Sequence, residues 1–591
     1  MKVKKHNEKK LTERIKSPPK LNNTRPVKTD ISKTVTQPWQ HCVFIAIIAI
    51  VTFICFKPAE NNEFLKTWDD PAYVTTNKLL DGLTAKNISE IFSFHKDLQK
   101  LTKNYHPLTT LSLSINHQFA GLNPRSYYLT NIFIHIINSI LVYLLIFLLT
   151  ERRKWAALFS GILFGIHPMH VESVAWISER KDVLYAFFFI AGLIVYYYYL
   201  KKHKIKFLVF AFLLFVLSVL SKAMAVVFPV VLILVDILVQ RKWSYRAVIE
   251  KIPFFIISGF FGMVAIRIQS EGAINDWQTF TLYQRFMHAS YGFISYLYSF
   301  FMPFNLSAFY PYPFINEHGV LPLELRVSPF IFLFIMAISI GSLFVKNKMV
   351  RVFGFGMLFY FVTLALVLQF LSVGMAITAD RYAYIPYIGI FFILGTWWSH
   401  LLEQRRLVYK TAGLIAGVIF MISSVVFAVN THQRVAVWHD DMTLWTDVLN
   451  RYSDSRMNFI REKRANLNFN NQDFQSAMKD YQIMIALKPN DDNALERIGR
   501  IYGQQYHQLD SALFYFNKGY AANPDNFSIL KNLGVAYAIK TEYAKSLDYF
   551  LQAYGKDPAD TALMLNIAAS YRAIGNNEKS TEFENLAHSK K

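Results

Sequence analysis

Eleven apolar runs dominate the first 430 residues, each close to the roughly 20 residues a helix needs to cross a bilayer. They cover 40–57, 127–150, 155–172, 183–200, 206–220, 223–240, 252–268, 329–345, 352–372, 385–402 and 407–429. A twelfth run, 286–302, carries Tyr291, Ser295, Tyr296, Tyr298 and Ser299 and is more polar. Short basic clusters separate the runs: Arg152-Arg153-Lys154, Lys201 to Lys204, Arg241-Lys242, Lys346 to Arg351 and Arg405-Arg406. Such clusters mark the cytoplasmic ends of spans. With all of them on one side, the stretch between Lys242 and Lys346 must cross an even number of times. It holds three runs, so 286–302 is expected to stay within the bundle or re-enter, which protein-lined segments permit. Eleven spans then put the N-terminus in the cytoplasm and everything after 429 outside.

Beyond residue 430 the pattern becomes polar and periodic. Pro489, Pro524 and Pro558 recur at spacings of 35 and 34. Tyr481, Phe516 and Phe550 keep the same phase, as do Ala477, Ala512 and Ser546. Ile498-Gly499 with Tyr502, Leu533-Gly534 with Tyr537, and Ile567-Ala568 with Tyr571 form a third series. This resembles the tetratricopeptide (TPR) repeat, with small residues where two helices approach, aromatics between them and proline ending the second helix. Three units are clear, and a degenerate one is expected near Trp438-His439-Asp440 and Trp445. The expected domains are a disordered basic tail over 1–38, a membrane domain over 39–430 with a first outer loop over 58–126, and a TPR domain over 431–591.

Composition narrows the class. The 591 residues are 53% hydrophobic and only 17% charged, against about 25% charged in soluble chains. Two cysteines, Cys42 and Cys55, exclude a disulfide scaffold and a Cys-based metal cluster. The net charge of +21 suggests nucleic acid only until its location is seen. It resides in the tail, from Lys2 to Lys33, and in the short clusters, so it orients the chain in a lipid bilayer and no nucleic-acid partner is expected.

The remaining polar residues gather in the outer segments. Trp68-Asp69-Asp70-Pro71 follows the first span. Adjacent carboxylates there can act as a base, bind a metal or cap a helix begun by Pro71. His106 follows in the same loop. The block His167 to Asp182 packs His167, His170, Glu172, Glu179, Arg180, Lys181 and Asp182 between apolar flanks. Charges near membrane depth cost about 2.5–3.5 kcal/mol each on insertion scales and are rarely idle. His167, His170 and Glu172 can also be read as metal ligands, although their spacing matches no zinc pattern. Lys222 lies between two apolar runs on the outer side, and Asp236 near an inner end reads as structural. Asp380-Arg381-Tyr382-Ala383-Tyr384 stands at an outer edge, where the ion pair can solvate a loop and the tyrosines suit an aromatic belt.

Together these segments resemble the GT-C superfamily of polytopic glycosyltransferases, and more narrowly the transmembrane-and-TPR O-mannosyltransferases and their bacterial relatives. Trp68 to Asp70, the 167–182 block, Leu220-Ser221-Lys222 with Pro229 and Asp236, and Asp380 to Pro386 carry the resemblance, as does Tyr298 to Pro313 with Pro303-Phe304-Asn305-Leu306-Ser307. It implies an all-α fold, a polyprenyl-phosphate-linked sugar donor such as mannose, and transfer with inversion to an acceptor hydroxyl, a protein Ser or Thr. Asp69 or Asp70 would be the base. Arg180, Lys181, Lys222 and Arg381 would hold the donor phosphate. His106, His167, His170, Glu172, Asp182, Asp380, Tyr382 and Tyr384 would shape the sugar and acceptor pocket. The chemistry requires no cofactor, although a divalent metal is compatible with it. The TPR groove would recruit the protein acceptor, and the expected setting is a bacterial inner membrane with the active site and TPR domain in the periplasm. Two other readings are a transporter or flippase of lipid-linked sugars and an assembly scaffold with a membrane anchor. The first calls for mid-membrane charges and inverted repeats, and the second leaves the 167–182 block without a purpose.

Overall fold

A computed structural model describes residues 38–94, 102, 104–269, 280–313, 321–370 and 374–590. Residues 1–37 of the basic tail lie outside the described residues. The described residues are all-α apart from one two-stranded ribbon, in which Tyr310–Pro311 pairs antiparallel with Ala376–Thr378. A bundle of apolar helices is followed by helical hairpins.

Among the described residues six helices are long and apolar enough to cross a membrane: Pro38–Asn61, Pro124–Leu149, Ile177–Lys202, Tyr245–Ile268, Leu323–Leu343 and Leu407–Val437. Apolar side chains such as Phe330, Phe334, Met421 and Val425 face outward from them, as a lipid-facing surface requires. Lys154–Ile166, Ile205–Ser221 and Ala223–Leu238 are apolar but shorter. The count of eleven spans thus rests on helices that the polar motifs shorten. The run expected over 155–172 ends at Ile166, because Pro168 cannot continue a helix and His167 turns to extended backbone. The run over 352–372 stops at Leu364. The boundary expected at 430 falls inside one continuous helix, Leu407–Val437.

The basic clusters meet at one end of the bundle. Arg153 pairs with Glu403 at 3.1 Å and Lys348 with Glu151 at 2.8 Å. The helix Leu282–Phe301, the more polar run, contacts the loops of the opposite end. Near its start His288 faces Tyr312 at 5.2 Å. Farther along, Tyr296 Oη bonds both the N–H and the C=O of Ala379. At its end Phe300 stacks on His167 at 5.3 Å. The same helix packs through Phe286 and Phe293 on Phe332 of the helix Leu323–Leu343, at 6.0 and 5.1 Å.

The solenoid comprises four hairpins: 458–487, 492–522, 527–556 and 561–589. Pro489, Pro524 and Pro558 follow the second helix of the first three. The small residues are required by close packing: a Cβ on Gly499 would lie 2.5 Å from Phe516, and one on Gly534 2.4 Å from Phe550. The fourth hairpin is C-terminal. The degenerate unit expected near Trp438 to Trp445 is instead a single helix, Asp441–Arg451.

Candidate functional site

Three segments far apart in sequence converge where the loops gather. The turn 66–69, the 167–182 block and the short helix Asp380–Ala383 surround a group of buried charges. Glu179 is its hub: its carboxylate lies 3.0 Å from Lys181, 3.6 Å from Lys222 and 3.4 Å from Arg381. Arg381 also pairs with Glu172, which accepts the Arg381 backbone N–H at 3.0 Å. Lys222 pairs with Asp182, which accepts a hydrogen bond from Ser173 at 3.1 Å. Aromatic faces wall the cations. Lys181 stands 4.5 Å over Tyr73, Arg381 4.8 Å over Tyr382 and 5.6 Å from Trp176, and Lys222 5.8 Å from Tyr382. Such faces attract desolvated cations without neutralising them.

The two adjacent aspartates differ sharply. Asp70 is wholly buried, and its carboxylate accepts from Leu65 N–H at 2.9 Å, Ser178 N–H at 3.2 Å and Ser178 Oγ at 2.5 Å. Burial pushes it up to about 6, against the pull of those bonds. It ties the first loop to the 167–182 block. Asp69 is half-buried, and its carboxylate makes no hydrogen bond among the described residues. Burial raises its pKa, while Lys181, Arg381 and Lys463 oppose the rise and Glu179 adds to it.

Other predicted site residues divide in the same way. Lys181, Lys222 and Arg381 come together, with Glu172, Asp182 and Tyr382 as their partners. His106 stands just before the helix Pro107–Ala120 and lines a narrow crevice with Tyr105, Val219, Phe261 and Ile268. Its Nδ1 has no hydrogen-bond partner among the described residues. Burial, and then Lys181 and Lys222, hold it well below the usual histidine range. Asp380 accepts from Tyr310 Oη at 2.7 Å, and burial followed by Glu172 pushes it up to about 8.

Four expected site residues face elsewhere. Arg180 turns away from the cation group and donates to Asn131 Oδ1, to Ser112 Oγ and Asn116 Oδ1 at 2.9 Å each, and to Tyr127 C=O at 2.9 Å. Its donors bind neutral acceptors that hold three helical segments together. His167 Nδ1 accepts from Met169 N–H at 3.3 Å, leaving Nε2–H to donate to Phe300 C=O at 3.0 Å. His170 Nδ1 lies 2.8 Å from Phe164 C=O among aromatic rings. Tyr384 Oη bonds His135 Nδ1 at 2.6 Å and Asn138 at 3.1 Å inside the bundle. Among the described residues no three His, Cys, Asp or Glu side chains are grouped to hold a metal. Of the residues readable as metal ligands, His167 and His170 bond backbone carbonyls and Glu172 pairs with Arg381, so these three do not fit a divalent metal as they stand.

Sequence reasoning missed a second layer. Trp68 stacks on Trp445 at 4.7 Å and leans on Trp176 at 4.8 Å, and Trp176 stacks on Trp438 at 5.6 Å. Asp441 accepts from Lys66 N–H at 2.7 Å, Thr67 N–H at 3.1 Å and Thr67 Oγ1. Trp438 and Trp445 are legible in the sequence as part of a degenerate repeat, but their partner across the chain is not.

No family model matches the chain. Among curated proteins it is similar to human Protein O-mannosyl-transferase TMTC2, 39% identical over 94 residues, 16% of this chain and 11% of that one. Mouse Protein O-mannosyl-transferase TMTC4 is 28% identical over 170 residues, 25% and 22% of the two chains. Protein O-mannosyl-transferase F38B6.6 of Caenorhabditis elegans is 26% identical over 229 residues, 37% and 31%. These matches thus span between about a tenth and a third of the relatives' length. Among solved structures, MamA matches at a TM-score of 0.23 and 14% identity, over 25% of this chain and 85% of MamA. YrrB, a TPR protein with an unusual peptide-binding site, matches at 0.22 and 14%, over 33% and 92%. The chain is a membrane protein with helical repeats, similar over part of its length to protein O-mannosyl-transferases.

Proposed function

We propose that the chain is a membrane glycosyltransferase that moves mannose from a polyprenyl phosphate to a Ser or Thr hydroxyl of a protein. The observation that carries this reading is the convergence of one half-buried, unbonded carboxylate, Asp69, with the cations Lys181, Lys222 and Arg381. In the proposed reaction the acceptor oxygen attacks the anomeric carbon and its proton passes to Asp69. The bond from that carbon to the phosphate oxygen breaks, and polyprenyl phosphate leaves with the electron pair, so the anomeric configuration inverts. A phosphate monoester is a good leaving group near neutral pH, so the site needs fixed positive charge more than a strong acid. Arg381 offers a fork for two oxygens, whereas Lys181 and Lys222 act as point charges. Neutral His106, with its free Nδ1, fits a hydroxyl or a phosphate oxygen beside them.

The clustering of basic residues at the far end supports placing the site and the solenoid on the outer side, the periplasm for a bacterial inner membrane. The hairpins are assigned to acceptor recruitment. The test uses the purified chain in lipid nanodiscs with mannosyl-phosphoryl-polyprenol and a Ser/Thr-rich peptide. Mass spectrometry should find hexose on the peptide, with an anomeric linkage opposite to the donor's. Absence of transfer from this donor to peptide and to water alike would overturn the reading.

A further inference from the structure

The turn that carries Asp69 is held from two sides. On one side Asp70 fastens it to Leu65 and Ser178 within the membrane region. On the other, the hydrogen bonds of Lys66 and Thr67 among the described residues all reach past residue 440. Asp441 accepts both their backbone N–H groups, and Trp445 Nε1 donates to Thr67 Oγ1 at 2.8 Å. Lys463, on the helix Asn458–Asn470 of the first hairpin, donates from Nζ to Thr67 C=O at 2.5 Å. Glu63 N–H bonds His439 C=O at 2.8 Å. A loop without regular structure has few ways of its own to satisfy its backbone groups, and here the start of the solenoid satisfies them.

We propose that the helix Asp441–Arg451 and the first hairpin are part of the active site, with Lys463 a positioning residue that fixes the Asp69 turn. This inference rests on the reading of Asp69 as base. The solenoid then divides by role. Residues 441–487 complete the catalytic centre, and the hairpins from 492 onward are left for the acceptor.

Lys463 also acts by charge. Asp69 is faced by Lys181, Glu179 and Arg381 from the membrane region, by Lys463 from the hairpin, and by neighbouring Asp70 and Tyr73. Lys463 favours the carboxylate, so removing it makes Asp69 easier to protonate. The acidic limb of the rate profile should therefore move to higher pH.

The test uses the full chain in nanodiscs, with donor hydrolysis and peptide transfer followed separately. Lys463→Met should lower kcat of both reactions by about 10- to 100-fold, the effect of a misplaced catalytic group, with little change in donor KM. Its acidic limb should rise, and Lys463→Arg should restore most of the rate and the limb. If Lys463→Met fails to fold, Trp445→Phe decides: it keeps the ring, loses the bond to Thr67, and should lower kcat with the limb unmoved. Wild-type kcat and pH profile in Lys463→Met, or wild-type kcat in Trp445→Phe where that variant decides, would overturn the inference while Asp69→Asn remains inactive. Full activity in Asp69→Asn would instead overturn the base assignment itself, and this inference with it.

Discussion

Replacing Asp69 and Asp70 by asparagine, one at a time, separates chemistry from architecture. Asp70 uses both carboxylate oxygens: one accepts Leu65 N–H, the other accepts the N–H and Oγ–H of Ser178. An asparagine can keep its carbonyl toward Ser178 only by turning its amide toward Leu65 N–H. That loses one charge-assisted bond and leaves two buried donors facing each other, a cost of about 2–4 kcal/mol. Asp69 has no such bonds to lose, only its attraction to the neighbouring cations, so Asp69→Asn should change stability by about 1 kcal/mol or less. Its kcat should fall by about 10²- to 10⁴-fold, the usual worth of a positioned base. Thermal melting in nanodiscs gives the first comparison and mannose transfer the second. The reasoning fails if Asp69→Asn transfers mannose at the wild-type rate, or if Asp70→Asn melts like wild type and is inactive. The second result would name Asp70 as the base.

Other perturbations probe the surrounding layers. Because burial holds Asp69 above its ordinary value, it is ionised only above that raised pKa, and kcat/KM should fall with decreasing pH earlier than for an exposed carboxylate; a limb near the ordinary value of 3.8 would contradict this. Asp70, at about 6 in the folded chain against an ordinary 3.8 when unfolded, stabilises the fold fully below about 4. That contribution is lost as pH rises through about 6, so chemical denaturation at pH 4, 5, 6 and 7 should show a smaller pH-dependent loss in Asp70→Asn than in wild type. Arg180→Lys cannot reproduce the fork onto Asn131, Ser112, Asn116 and Tyr127; it should cost at least about 2 kcal/mol and leave donor KM unchanged in the folded fraction. Gly534→Val forces a branched side chain against Phe550 and should cost about 1–3 kcal/mol, whereas Gly555→Ala meets nothing within 4 Å and should melt at or above the wild-type temperature.

How far the sequence could be read depended on whether a residue's role was local or distant. Proline spacing and the glycine series exposed the hairpins because each repeat packs on its neighbour: Gly499 with Phe516 and Gly534 with Phe550 are close in the chain as well as in space. The apolar runs marked the helices, but their ends were set by breaks such as His167-Pro168, which run-length arithmetic read through. In the site, residue type identified the charged block but could not assign partners. Arg180 and Lys181 are neighbours that begin the same helix, and helical geometry alone points them to different faces. One meets the neutral oxygens of Asn131 and Tyr127, the other meets Glu179. Asp69 and Asp70 divide likewise, since Ser178 happens to lie opposite only the second. Least legible was the contribution of Asp441 and Lys463, a contact with Thr67 across nearly 400 positions. No periodicity encodes such a contact, and the repeat pattern there invites a reading as a recruiting arm alone. The physical clue is an unmet requirement: a polar turn rich in N–H groups, beside a membrane and without secondary structure of its own, needs acceptors from elsewhere. A helical repeat array that begins immediately after the last long apolar helix is placed to supply them, which makes its first hairpin the part least separable from the Asp69 turn.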